Sequence, residues 1–480
     1  MNTTRRAFLS QSGIAGAALA FPAIIPARVL GKEAPSKKIQ VGVIGCGRIA
    51  KYDLTGISRN QDLAVLYGIS DCDLYRMDDF EADAKRFMKA HNLPTIKKHQ
   101  NYHDLLADPG IDAVMICTPD HTHAELCIES ALAGKDVFMQ KPMASSLEEG
   151  RLIVKVFEKT GRIFHLGSQQ RSEGPNSCGP QFRRAVEYVR DGRIGKILRI
   201  EVGLPNDPVE SKNAPLKQDV PANFDYNTWL GPTPEAQYCE LRTHWQGRKG
   251  RKVNYGRPGW LTIQAYSLGM ITGWGSHHLD IAQWGLGMET SGPVAAEGTA
   301  QFPKRRLWDV HGKLDVRLTY ANGTVLHVAG TDRYPCGVRF VGEKGWIFCS
   351  RGSVKTTSSD PDSGSRSRWS SLDASDKKLI TGEVSASVRE QVVRNPLEHH
   401  RVWLNSIHSR KPTNITPEIA HRSTSACILS HIAYTLKRPL KWDPVRERFL
   451  NDDEANRKLS HEERAPFGAR NALKRAGWKI

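Results

Sequence analysis

Ile39-Gln-Val-Gly-Val-Ile44 runs directly into Gly45-Cys-Gly47-Arg-Ile-Ala50, and residues 51–59 can continue as a helix. The first six residues read as a buried parallel strand. Between a strand and a helix, the spacing G-x-G-x-x-A is a dinucleotide fingerprint in which each small residue has a physical task. Gly45 allows the tight turn, Gly47 lets the backbone come close to a pyrophosphate, and Ala50 keeps the helix near the strand. Arg48 and Ile49 open that helix, whose free N–H groups and partial positive charge favour phosphate.

Glycines alone decide little, so the second half of the unit matters. Leu63-Ala-Val-Leu-Tyr-Gly-Ile69 is a second apolar strand, and it ends at Ser70-Asp71, 21 residues beyond Ala50. A carboxylate at that strand end can accept both ribose hydroxyls of an adenosine and would repel a 2′-phosphate. NAD(H) is therefore expected over NADP(H), with Arg76 nearby keeping NADP(H) open. The alternation continues with a helix over 74–91, a strand over 112–117, a helix over 124–133, a strand over 136–139, a helix over 147–160 and a strand over 162–166. Such alternation predicts a doubly wound parallel sheet. Ligands bind at the carboxyl ends of its strands, which here carry Thr118-Pro-Asp-His-Thr-His123 and Gln140-Lys141-Pro142.

The first residues read as an address. Thr3-Thr-Arg-Arg-Ala-Phe-Leu9 is followed by a Gly/Ala-rich apolar stretch with no charge between Arg6 and Arg28. Paired arginines ahead of such a stretch resemble a twin-arginine signal peptide, with cleavage expected after Ala20 or Ala27. Gly13, Gly16, Pro22 and Pro26 make it a poor permanent membrane helix, so stable membrane insertion after cleavage is not expected. Export of a folded protein to the periplasm would also let it leave the cytoplasm with its dinucleotide already bound.

At 480 residues the chain can hold two or three domains, and 39% hydrophobic with 25% charged residues is ordinary for a globular protein. The formal charge of +17 is spread along the chain rather than gathered into a basic stripe interleaved with aromatics, so no nucleic-acid partner is expected. Nine cysteines stand without a C-x-x-C pair or zinc spacing, which predicts neither a disulfide framework nor a metal site.

Taken together, Val41-Gly-Val-Ile-Gly-Cys-Gly47, Asp112-Ala-Val-Met-Ile-Cys-Thr-Pro119, Gln140-Lys-Pro142, Gly167-Ser-Gln-Gln-Arg171, Gly195-Lys-Ile197 and Gly275-Ser-His-His-Leu-Asp280 resemble the Gfo/Idh/MocA oxidoreductases. Glu418-Ile-Ala-His-Arg422, Arg438-Pro-Leu-Lys-Trp-Asp443 and Asp453-Glu-Ala-Asn456 look like an exported subgroup of that family. The resemblance implies a signal and linker over 1–37, an NAD(P)-binding Rossmann domain over 38–166, and a C-terminal α/β domain over 167–480. That second domain would carry a large, mostly antiparallel open sheet and support a homo-oligomer. The sequence agrees: short β-like segments at 197–204, 314–320, 324–329, 338–341 and 346–349 are separated by Gly and Asn turns, and 356–376 reads as a mobile loop.

The resemblance also implies the site. Lys141 would handle the substrate hydroxyl, and Gln140 stands where the family usually carries Glu, so one negative charge is missing. His277 would be the general acid/base, with Asp280 orienting it or binding a hydroxyl. Gly273 replaces an Asp of the inositol-dehydrogenase-like members, which leaves His278 as an alternative contributor. Thr118, Pro119, His123 and Gln140 would border the cofactor; His123 reads as a helix-start residue ahead of a catalyst. Arg171 is expected either to bind substrate oxygens or to pair with a carboxylate between the domains, and some tryptophans beyond Gly167 can serve as sugar platforms. The implied activity is NAD(P)-dependent hydride transfer to or from a sugar, polyol or glycoside. The alternatives are an NAD-dependent redox-assisted glycosidase and a non-catalytic dinucleotide or sugar sensor.

Overall fold

A computed structural model describes residues 38–87, 95–174, 178–207, 217–245, 256–304, 307–352, 370–392 and 398–479. The expected signal and linker, residues 1–37, lie outside the described residues, as do residues 356–369 of the expected loop.

Six parallel strands, β1 (Ile39–Ile44), β2 (Ala64–Ser70), β3 (Lys97–His99), β4 (Ala113–Ile116), β5 (Asp136–Met139) and β6 (Phe164–Leu166), pair in the order β3-β2-β1-β4-β5-β6. The order reverses direction at β1, which opens a crevice beside the ends of β1 and β4. The helix Arg48–Arg59 turns Ala50, Leu54 and Ile57 onto this sheet, where they share a core with Val41, Val43 and Phe138. Gly45 sits at φ +89°, and a Cβ there would lie 2.8 Å from the Cys117 carbonyl, so a side chain is excluded on two counts. The helix expected over 74–91 is observed as Leu74–Phe87. β3 was not expected, because Lys97-Lys-His99 has no apolar pattern.

The second sheet has nine strands: β7 (Ile197–Leu204), β8 (Ala295–Ala300), β9 (Leu314–Thr319), β10 (Val325–Gly330), β11 (Gly337–Gly342), β12 (Gly345–Cys349), β13 (Leu372–Ala374), β14 (Leu440–Asp443) and β15 (Arg448–Phe449). Their order is β13-β12-β11-β7-β10-β9-β8-β14-β15, antiparallel except for the β7–β10 pair. The expected loop therefore contains a strand, β13, that lengthens the sheet. Helices Gln181–Arg190, Gly275–Leu286 and Pro417–Leu436 cover one face. Phe182, Leu279 and Leu429 interlock there with Ile200, Val316 and Phe340, each worth about 1.5–3 kcal/mol when fully buried. Glu201 on the other side accepts from Arg199 and Arg339.

Late segments return to the first sheet. Trp403 of the helix His399–Ser409 is fully buried in the core of the dinucleotide helix, and Leu473 of Ala469–Arg475 joins the core of β4 and β5. Among the described residues no helix is long and apolar enough to cross a membrane, and all nine cysteines are free.

Candidate active site

The glycine turn leaves room for a ligand. A Cβ on Gly47 would meet nothing within 4 Å, and Gly47 borders a cleft that runs past Arg48, Ile49 and Asp71 to Thr118, Pro119, Gln140 and Lys141. The helix Arg48–Arg59 has no side-chain cap and no acid in its first turn, so its amino end presents positive character to that cleft. Asp71 is fixed beneath it, accepting from the N–H of Cys46 at 2.6 Å and of Asp73 at 2.8 Å. Burial, with the neighbouring Asp73 charge, pushes the Asp71 carboxyl up to about 6 against those two hydrogen bonds. Arg76 reaches the same end, but Asp73 lies 3.7 Å from its Nε and its Nη2 donates to the Trp245 carbonyl at 3.3 Å. A free turn, an uncapped helix and a carboxylate at the strand end fit a dinucleotide: the turn and helix start would hold its pyrophosphate, and Asp71 its adenosine ribose.

At the far end, the strand-end loops meet the second domain. Lys141 and Asp120 border the cleft together with Trp229, Trp260, Trp274, His277 and Arg351. His277 lies on the helix Gly275–Leu286 and is 6% exposed. Burial first, then the charges of Arg351 and Lys141, hold it well below the usual histidine range, so its ring is neutral at pH 7. Asp120 receives a hydrogen bond from Ser267 Oγ at 2.9 Å, and burial raises its carboxyl above the ordinary range.

Gln140 is not without a negative partner. Its Nε2 donates to Asp53 Oδ2 at 2.6 Å, and Asp53 Oδ1 lies 3.1 Å from His400 Nε2. The other ring nitrogen of His400 is 2.9 Å from Glu398. Burial would lower His400, yet the hydrogen bonds and charges of the two carboxylates outweigh it and raise the ring to about 9. The Asp53 carboxylate of the dinucleotide helix and the charged His400 imidazolium of the helix His399–Ser409 thus support Gln140, the residue before Lys141. A second carboxylate at position 140 would face Asp53 at hydrogen-bond distance.

Two family models match this chain. One, an oxidoreductase family with an NAD-binding Rossmann fold, matches residues 39–168; the other, the C-terminal alpha/beta domain of the same oxidoreductase family, matches 209–358 and 383–469. Together they cover well over half of the chain. The chain belongs to the Gfo/Idh/MocA oxidoreductase family. A myo-inositol 2-dehydrogenase of Thermotoga maritima is 33% identical over 172 residues, 35% of this chain and 47% of that protein. The chain thus spans about half the length of the curated relatives it matches. The crystal structure of the WlbA dehydrogenase of Bordetella pertussis with NADH and UDP-GlcNAcA is similar at a TM-score of 0.57 and 16% identity, covering 85% of this chain and 99% of that one. A levoglucosan dehydrogenase in complex with NADH and levoglucosan is similar at 0.56 and 16%, covering 84% and 99%.

Within this Gfo/Idh/MocA frame, four expected residues stand apart from the cleft. Asp280 accepts both Arg171 Nε and Nη2 at 2.7 Å and the Ser423 hydroxyl at 2.6 Å. Both of its oxygens are thus engaged by Arg171, and one of them by Ser423 as well. Arg171 pairs with carboxylates of its own domain and not with one across the domain boundary: besides Asp280 it meets Glu289 at 2.5 Å, lies over the Trp284 ring, and is only 3% exposed. His278, one helix position from His277, points the other way, 3.1 Å from the Gly203 carbonyl, and burial drives it down to about 3. His123 is buried between two backbone carbonyls, 2.6 Å from Pro142 O and 3.0 Å from Thr118 O, where it braces the two strand-end loops. Arg351 and Asp120 were the omissions. Asp120 lay inside a quoted strand-end motif; Arg351 comes from a loop with no local signal.

Proposed function

We propose that this Gfo/Idh/MocA chain is an NAD(H)-dependent oxidoreductase acting on a hydroxyl or carbonyl of a carbohydrate or polyol. The observation that carries the reading is that Lys141 and His277, from different domains, border the same cleft as the glycine turn and Asp71. When bound, the dinucleotide supplies the two-electron acceptor or donor at its nicotinamide ring. The chain's own residues do the rest. Lys141 holds the substrate oxygen and stabilises the negative charge that grows on it. His277, neutral and shielded from water, takes the hydroxyl proton during oxidation and returns it during reduction. Asp53 and His400 hold Gln140, and through it the loop that presents Lys141.

Asp71 favours NAD(H), because its carboxylate would repel a 2′-phosphate while Arg76 is occupied by Asp73 and Trp245. Substrates named for the similar proteins, an inositol, levoglucosan and a nucleotide-linked sugar acid, all offer carbinols of the kind this cleft would handle. Export by the twin-arginine route and assembly into a homo-oligomer belong to the same proposal, resting on Arg5-Arg6 with its apolar stretch and on the large open sheet. The test is absorbance at 340 nm with purified protein, NAD+ and a panel of sugars and polyols. Turnover that disappears in Lys141→Ala is expected. Absence of both cofactor binding and turnover across the panel would overturn the proposal.

A further inference from the structure

Lys141 can stabilise a growing oxyanion only as an ammonium, and part of its surroundings opposes that state. Its charge reaches His277 on one helix and Cys427 on another, and Arg351 adds a second cation near His277. Like charges and partial burial both push a lysine towards its neutral form. Gln140, the residue before it, carries no charge, and the Asp53 carboxylate behind Gln140 is matched by the charged His400 ring. Among the described residues the carboxylates that border the cleft are Asp71, Asp120 and Glu125. Asp71 lies at the adenosine end, and Glu125 has Tyr102 at 3.4 Å and Arg475 at 3.5 Å. Asp120 responds to Lys141: burial raises its carboxyl, with His123 and then Lys141 opposing that rise.

The strand ends bring the two residues together. β4 and β5 pair in parallel up to Ile116 and Met139, so the loops that follow leave the sheet side by side, from strands about 4.8 Å apart. Asp120 opens the turn Asp120–Thr122 in the first loop, and Lys141 follows β5 in the second. His123, at the end of that turn, ties the loops together through Pro142 O at 2.6 Å, one residue beyond Lys141. From the second domain Ser267 Oγ donates to Asp120 Oδ2 at 2.9 Å, and Asp120 is only 6% exposed. Its carboxyl is therefore held from both domains.

Resting on the function proposed above, we propose that Asp120 is a positioning residue for the reaction, whose carboxylate keeps Lys141 in its ammonium form at the substrate oxygen. It supplies, from the neighbouring loop, the negative charge that Gln140 does not carry. Asp120 acts through Lys141 and exchanges no proton with the substrate.

The experiment reads the charge of Lys141 directly and needs no substrate. Lysines of the full chain are reductively methylated with 13C-formaldehyde, which reaches Lys141 because it is only half-buried at the cleft. The dimethyl-lysine signal missing from Lys141→Arg is then followed by NMR as pH is raised. In the native chain its midpoint is expected no lower than those of the exposed lysines in the same spectrum. Asp120→Asn is expected to lower it by about one pH unit or more, the effect of losing an opposite charge within roughly 4–6 Å. Ser267→Ala removes the hydrogen bond and keeps the carboxylate, so it is expected to shift the midpoint by less than half as much. An unchanged midpoint in Asp120→Asn, or an equal fall in Ser267→Ala, would overturn the inference. So would a native midpoint below those of the exposed lysines, a result that depends on no variant folding. NADH is titrated on the native chain in parallel. Its failure to bind would remove the underlying function, whereas binding with the wrong Lys141 response would overturn the role of Asp120 alone.

Discussion

Asp53→Asn removes one charge from a fully buried cluster and keeps its volume. In the native chain His400 lies between Asp53 and Glu398 and is raised from 6.5 to about 9. A rise of that size corresponds to about 3 kcal/mol, close to the roughly 3–5 kcal/mol lost when a buried ion pair is broken from one side. Because Glu398 remains, about half or more of that stabilisation should vanish, roughly 1.5–3 kcal/mol at pH 7. The direction with pH is fixed. A histidine whose folded value lies above its unfolded one stabilises fully below pH 6.5, and that contribution fades as pH rises through about 9. The native chain should therefore lose stability over this window, and Asp53→Asn should lose less. His461, which the Glu149 charge raises to about 9, adds the same slope to both proteins, so the difference between them isolates His400. Equilibrium urea unfolding at pH 7 and at pH 9.5 measures it. An equal deficit at both pH values, or a deficit under about 0.5 kcal/mol at pH 7, the scale of an ordinary surface change, would refute the buried-pair reasoning.

Gly45→Ala forces a side chain into φ +89° against the Cys117 carbonyl, and should weaken NADH binding by at least about tenfold, read by fluorescence titration. NADH affinity should fall as pH drops below about 6, where the Asp71 carboxyl takes up a proton and loses an acceptor; a flat profile in wild type from pH 5 to 8 would contradict that role. Arg171→Met leaves Asp280 buried without its main partner and should cost about 3–5 kcal/mol in unfolding. Asp280→Asn should leave the pH dependence of turnover unchanged, because its oxygens serve Arg171 and Ser423 and not His277.

Much of the first sheet was legible because its central strands are apolar runs bounded by turn signals. β3 was not, since an edge strand needs only backbone pairing and Lys97-Lys-His99 advertises nothing. β8, Ala-Ala-Glu-Gly-Thr-Ala, is too small and polar to stand out, and β13 lay inside a segment whose composition reads as loop. The site divides in the same way. Gly45, Gly47, Asp71, Gln140 and Lys141 sit at strand ends, where chain geometry alone aims them at the crevice. His277 and His278 are neighbours on a helix, and a turn of about 100° per residue sends one to the cleft and the other to Gly203. Asp280 looked catalytic by its spacing from His277; the guanidinium that engages it comes from 109 residues away, which no local pattern reveals. Asp53, read only as a helix residue, gains its meaning from His400 at the other end of the chain.

A crystal structure of the chain with NADH tests the shared cleft most directly. A dinucleotide bound as proposed has its pyrophosphate on the backbone between Gly45 and Ile49, its adenosine ribose on Asp71, and its nicotinamide facing Lys141 and His277. A nicotinamide ring turned away from Lys141, or a dinucleotide held elsewhere on the molecule, would contradict it.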